Sequence, residues 1–130
     1  MFPRSYFLGL LAFLLCQCQP NPYRDGEQVY KTQCANCHMD SGTGLSGLIP
    51  TLAQSDYLTL HRAQLPCALR FGLHDTITVN GKIYAEQMPP NPTLSDVDIT
   101  NVLNFVNQAW GNNNPPYSLD EVRRGLEGCK

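Results

Sequence analysis

The sequence predicts a single all-α domain with one short β-hairpin inserted ahead of its last long helix, behind an N-terminal apolar segment. Three observations carry that expectation. The chain has 130 residues, 42% hydrophobic and 15% charged; without its apolar start about 110 remain, enough for one modest core and not for two. Helical spacing recurs in two separated stretches, Val29 and Tyr30 with Gln33 and Cys34, then Ile99, Val102, Leu103, Val106 and Trp110. Asn80-Gly81 stands between two β-branched stretches, the strongest short-range hairpin signal.

Taken in order, residues 1–17 read as an export signal. Arg4 precedes an apolar run from Tyr6 to Leu15 that is roughly half of the ~20 residues needed to span a bilayer. Cys16 and Cys18 follow it directly, which resembles a bacterial lipoprotein signal; Cys18 is the preferred lipidated residue and Cys16 the alternative. Ordinary cleavage nearby and an uncleaved short anchor are the other readings. Residues 18–25 form a polar, proline-containing tether, with Asp25 expected to cap the first helix and Gln28 to complete a capping box. Ser41 to Gly47 is glycine-punctuated loop. Pro50 to Leu60 reads as a short helix burying Leu52, Ala53, Tyr57 and Leu60. A second runs from Pro66 to Phe71 and ends at Gly72. Ile77 to Tyr84 is the hairpin, and Met88-Pro-Pro-Asn-Pro92 cannot be helix interior. Ser95 caps a helix from Asp96 to Trp110, stopped by Gly111. Residues 112–130 are a polar, proline-bearing turn followed by a short amphipathic tail.

The formal charge is −2, so no basic excess exists to neutralise phosphates, and nucleic acid is excluded as a main partner. The chemistry concentrates at Cys34-Ala-Asn-Cys37-His38, the C-x-x-C-H pattern of covalent haem attachment. Two intervening residues let one helical turn present both sulfurs to the haem vinyl groups while the adjacent histidine faces the iron. A zinc site would want a second paired cluster, and Cys67 and Cys129 stand alone. A thioredoxin-like pair would want a βαβ context that this chain lacks. Candidates for the sixth iron position are Met39, Met88, His61 and His74. Met88 is best placed, in a proline-stiffened loop fifty residues beyond His38, with His74 next; Met39 starts on the same side of the ring as His38. His/Met ligation raises the reduction potential relative to bis-histidine ligation.

From Gly26 to Gly111 the chain resembles a mono-haem class I cytochrome c. Gly26 and Tyr30 match the family's glycine and aromatic where the first helix crosses the last, with Phe105 or Val102 as the partner. Gly42-x-Gly44 and Ile49-Pro50-Thr-Leu52-Ala53 resemble the loop after the haem motif, which implies that the Pro50 carbonyl accepts the free N–H of His38. Val79-Asn-Gly-Lys-Ile-Tyr84, Met88-Pro89, Leu94-Ser-Asp96 and Trp110-Gly111-Asn112 are similar to bacterial cytochromes that serve as subunits of dehydrogenases, nitrite reductases and oxidases. The resemblance implies a cytochrome c fold around one covalent haem c, residues 26–111 as its domain, residues 112–130 as an extension, His38 and Met88 as iron ligands, and Cys34, Cys37 and Pro50 completing the haem contacts. Cys67 and Cys129 are departures; an exported location permits a disulfide between them, which the sequence leaves open.

The expected function is one-electron transfer, Fe(III)/Fe(II), outside the cytoplasm, between a redox-protein donor and acceptor, with no small-molecule substrate and with a membrane anchor at Cys18. A subunit permanently docked to a membrane oxidase or reductase is the alternative. A haem-based gas or peroxide sensor or enzyme is the third reading, and only His74 could serve as its distal acid or base.

Overall fold

The computed structural model describes residues 21–129. The segment read as an export signal, residues 1–17 with Cys16, and the expected lipid site Cys18 lie outside them. The fold is mostly helical with one two-stranded antiparallel sheet: α1 (Arg24–Gln33), α2 (Ala35–His38), α3 (Asp56–Leu60), α4 (Leu65–Phe71), β1 (Ile77–Val79), β2 (Lys82–Tyr84), α5 (Asp96–Gln108) and α6 (Leu119–Glu127), with a 3₁₀ turn at Arg62–Gln64. Among the described residues no helix is long and apolar enough to cross a membrane.

Helix α1 starts two residues before its expected start, and the Asp25–Gln28 box does not form. Tyr23 is the N-cap; its N–H donates to Asn21 Oδ1 at 2.9 Å, so Asn21 makes the entry turn and Asp25 and Glu27 instead face the positive end of the helix from its first turn. The expected helix over Pro50–Leu60 is confined to Asp56–Leu60. The N–H groups of Leu52 and Ala53 are spent on Gly42 O, at 2.7 and 3.1 Å, and Gln54 adopts φ 50, so the helix cannot begin until Ser55. The buried set shifts accordingly: Leu58 is 5% exposed and Leu60 is 73% exposed.

Helix α4 and the hairpin follow the sequence reading. Gly72, at φ 82, ends α4. The strands pair Ile77 with Tyr84, Thr78 with Ile83 and Val79 with Lys82, and Asn80 and Gly81 take φ 49 and 76, the left-handed pair that a two-residue turn of this twist demands. Helix α5 carries a full capping box: Ser95 Oγ accepts from Asp98 N at 3.1 Å while Asp98 Oδ2 accepts from Ser95 N at 2.9 Å. It stops at Gln108 rather than Trp110, because Ala109 is extended and Trp110 turns at φ 50 to place its ring against Tyr30 (4.9 Å between centroids) and Phe105 (5.4 Å).

The core is the crossing of α1 on α5. A Cβ built on Gly26 would lie 2.7 Å from the Asn101 carbonyl carbon and 2.9 Å from Phe105 Cβ, so only a glycine allows the approach. Tyr30, Ile99, Val102, Leu103 and Val106 form one buried cluster with Leu58, Leu65 and Leu94, and that same cluster includes Tyr117 and Val122. The C-terminal residues are therefore part of the single core. They are also tied covalently: Cys67 of α4 is disulfide-bonded to Cys129, with 5.6 Å between Cα atoms.

Candidate functional site

Cys34 closes α1, its N–H donating to Tyr30 O at 2.8 Å, and the chain makes one further turn as α2, with His38 N donating to Cys34 O at 2.9 Å. That turn brings Cys34, Cys37 and His38 onto the wall of one cavity. Beyond it, Met39 takes φ 61 and its carbonyl accepts the Tyr30 hydroxyl at 2.6 Å, so the chain leaves the cavity immediately after His38. This hydrogen bond was not legible in the sequence, although it is what joins the helix crossing to the site. Burial pushes the Tyr30 phenol well above its ordinary value, with Cys34 and Asp40 adding to the shift.

His38 Nδ1 lies 3.2 Å from Pro50 O. A carbonyl only accepts, so Nδ1 carries the proton and Nε2 presents its lone pair. Burial holds the imidazole below its ordinary pKa, partly opposed by the bond to Pro50; the ring is neutral at neutral pH. Cys34 and Cys37 are half-buried free thiols. Burial, with the neighbouring Cys37, pushes Cys34 up to about 11, the reverse of the lowered value that a nucleophilic or disulfide-exchanging C-x-x-C needs.

The cavity is a slot partly open to solvent, the concave and mostly apolar kind of site that takes a cofactor. Its walls are mostly apolar, with Leu52, Leu65, Leu69, Leu103 and Val106 among them, and Met88 reaches it from the proline loop. Of the four candidates for a sixth ligand, only Met88 lines it. His61 stacks on Tyr57 with 4.0 Å between centroids. His74 is exposed, 3.4 Å from Gln87 Oε1, and Met39 is not among the residues that line the cavity. One neutral imidazole nitrogen, one thioether and two thiols around an apolar slot fit a haem, an apolar macrocycle whose iron takes nitrogen and sulfur ligands. Among the described residues no cluster of three His, Cys, Asp or Glu could hold a bare metal ion.

Three further features of the site were missed. Leu73 pairs with Met88 backbone to backbone in both directions at 2.9 Å, and Asn91 N donates to Leu69 O at 3.1 Å. Gly72, read only as a helix stop, also provides clearance, since a Cβ there would lie 2.5 Å from Met88 O. Asn112 is buried and donates to Leu52 O and Val106 O, both at 2.8 Å, while its Oδ1 accepts from Ser55 N at 3.3 Å. It pins the cavity loop to the end of α5.

Residues 21–106 match the family described as Cytochrome C oxidase, cbb3-type, subunit III. The chain is similar to a cytochrome c-552 of Thermus thermophilus, 34% identical over 124 residues that cover 88% of this chain and 83% of that one. A second Thermus thermophilus cytochrome c-552 is 34% identical over 109 residues, 77% of this chain and 82% of the relative. The cytochrome c subunit of the quinone alcohol dehydrogenase of Gluconobacter oxydans is 37% identical over 94 residues, which are 69% of this chain and 19% of that subunit.

Proposed function

The chain belongs to the cytochrome c family, as a mono-haem electron carrier with covalently bound haem c and not an enzyme, and from that premise we propose which residues hold the haem and where the protein works. Cys34 and Cys37 form the two thioether links, His38 Nε2 is one axial ligand and Met88 Sδ the other. The observation that carries this reading is that these four side chains line one apolar cavity while Pro50 O, 3.2 Å from His38 Nδ1, leaves Nε2 free.

When bound, the haem supplies the Fe(III)/Fe(II) couple. The protein's part is to keep that couple's surroundings unchanged as the electron arrives and leaves. Pro50 locks one tautomer of His38 and raises its basicity. The apolar walls exclude water and favour the less charged ferrous state. Leu73 holds the Met88 backbone at two points, so the thioether stays in place in both oxidation states.

The carrier is exported, with residues 1–17 as its signal, 18–25 as a tether, 26–111 as the cytochrome domain and 112–130 as an extension packed on the same core. Lipid on Cys18, or on Cys16, anchors it to a membrane facing the periplasm. Its partners are a redox-protein donor and acceptor. The likeness to a dehydrogenase cytochrome subunit and to a cbb3-type oxidase subunit family supports a second reading, permanent docking to a membrane oxidoreductase.

Haem staining after denaturing electrophoresis tests attachment: replacing Cys34 and Cys37 by alanine abolishes it, and retained stain refutes the assignment. Met88→His removes the far-red thioether-to-ferric band and lowers the potential; an unchanged spectrum moves the ligand elsewhere. Cys18→Ser releases an intact red protein from the membrane fraction. Co-purification from native membranes separates a free carrier from a docked subunit.

A further inference from the structure

Met88 is held from outside its own loop. Its backbone is paired with Leu73, just beyond the end of α4. Arg70 Nη2, from the last turn of the same helix, meets Asp96 Oδ1 at 2.9 Å, fixing α4 against the start of α5. Yet α4 has only seven residues, too few to persist without packing. What covers its outer side is the C-terminal segment.

That segment grips α4 near its start and in its body. Ahead of the helix, the Arg62 guanidinium forms a two-pronged pair with Glu121 at 2.9 and 3.0 Å, donates to Pro115 O and Pro116 O at 2.7 and 2.9 Å, and lies 3.7 Å over the Tyr117 ring. The Tyr117 hydroxyl returns a bond to Arg62 O at 2.8 Å. Within the helix, Cys67 is bonded to Cys129, and buried Pro66 packs against Gly125 so closely that a Cβ there would lie 3.2 Å from Pro66 Cγ.

We propose that the C-terminal segment is a clasp that presses α4 onto the haem cavity and so positions Met88, with Arg62 and the Cys67–Cys129 disulfide as its positioning residues. The clasp rests on the reading of Met88 as the axial ligand. Opening it frees α4 to shift outward, the Leu73–Met88 pairing goes with it, and the iron becomes open to small ligands while the rest of the fold persists.

The test is imidazole binding to the ferric holoprotein, followed by loss of the far-red thioether band, at a temperature where circular dichroism shows every variant folded. Cys67→Ala/Cys129→Ala is expected to raise imidazole affinity at least tenfold, and Arg62→Gln to raise it in the same direction with the disulfide intact. Gly81→Ala strains the exposed hairpin turn, where the added Cβ meets nothing within 4 Å but the residue sits at φ 76, and is expected to leave that affinity unchanged. Parental affinity in both clasp variants, or an equal rise in Gly81→Ala, overturns the clasp. If the double variant does not fold, Arg62→Gln alone decides. A parent without the thioether band, whose imidazole affinity is unmoved by Met88→Ala, overturns the ligand reading, and the clasp falls with it.

Discussion

Replacing Gly26 by alanine adds one methyl group, and the fold has no room for it. The new Cβ falls within contact distance of Asn101 O, 2.7 Å from Asn101 C and 2.9 Å from Phe105 Cβ. Two of these atoms are backbone, so no flexible side chain can swing aside, and relief requires α1 to move away from α5. That movement loosens the contacts of Tyr30 with Phe105 and Trp110, at 5.5 and 4.9 Å between centroids. Overpacking of this kind costs about 3 kcal/mol, the upper end of the usual range. Alanine returns about 1 kcal/mol of helix propensity, leaving a net loss of about 2 kcal/mol and a fall in Tm of roughly 8–16 °C. Because the haem is covalent, it stays with the chain in both states, and thermal and urea unfolding of the ferric holoprotein by circular dichroism measures the difference directly. Gly128→Ala is the control: Gly128 sits at φ −83 with its nearest neighbour at an ordinary 3.5 Å from the added Cβ, and it should gain about 0.5 kcal/mol through the unfolded chain. A Gly26→Ala protein as stable as its parent, or stabilised like the control, refutes the close crossing.

Removing the disulfide in Cys67→Ala/Cys129→Ala opens a closure of 62 residues and should lower stability by about 4 kcal/mol on the chain-entropy estimate; chemical denaturation checks it. Asn112→Ala strands Leu52 O, Val106 O and Ser55 N in the interior and should cost about 3 kcal/mol, with Asn112→Asp no better because the donated bonds are lost. Ser95→Ala removes the cap of α5 and should cost about 1 kcal/mol at neutral pH. The Asp98 carboxyl is held below its ordinary value by the Ser95 side chain and then its backbone N–H. Its contribution is therefore complete above the ordinary aspartate pKa and disappears as pH falls through the lowered value. The stability gap between the parent and Asp98→Asn should be present at pH 7 and vanish in acid, in urea titrations at each pH.

What could be read from the sequence was chemistry contained in a few adjacent residues. The Cys34–Cys37–His38 turn, the Asn80-Gly81 hairpin, the Gly72 stop and the Ser95 cap each depend on local backbone geometry, and each carries its own signal. Features set by distant partners did not. Nothing near Pro50 reveals that the N–H groups of Leu52 and Ala53 are committed to Gly42, so a helix was expected there, and the buried leucine moved from 60 to 58. Asn21 took over the helix entry from Asp25 because its side chain reaches the Tyr23 N–H two residues on, a competition between two equally plausible turns. Trp110 fits the periodicity of α5 but leaves the helix to join Tyr30 and Phe105. The grip of the tail on α4 rests on pairings more than fifty residues apart, such as Arg62 with Glu121, which no window of sequence displays.

The crossing of α1 on α5 also sets an order of events. The chain is made from its N-terminus, and α1 has only ten residues, marginal as a helix by itself. Its partner α5 begins only at Asp96, so until that segment has been made the contacts that bury Tyr30 do not exist. Throughout that interval Cys34, Cys37 and His38 belong to an open stretch of chain. Once α5 arrives, Gly26 docks on Asn101, Tyr30 meets Met39 O, and the entrance narrows to the cavity mouth. Contacts between the two ends of a chain are the slowest to form, and here that slowness keeps Cys34, Cys37 and His38 accessible for longest.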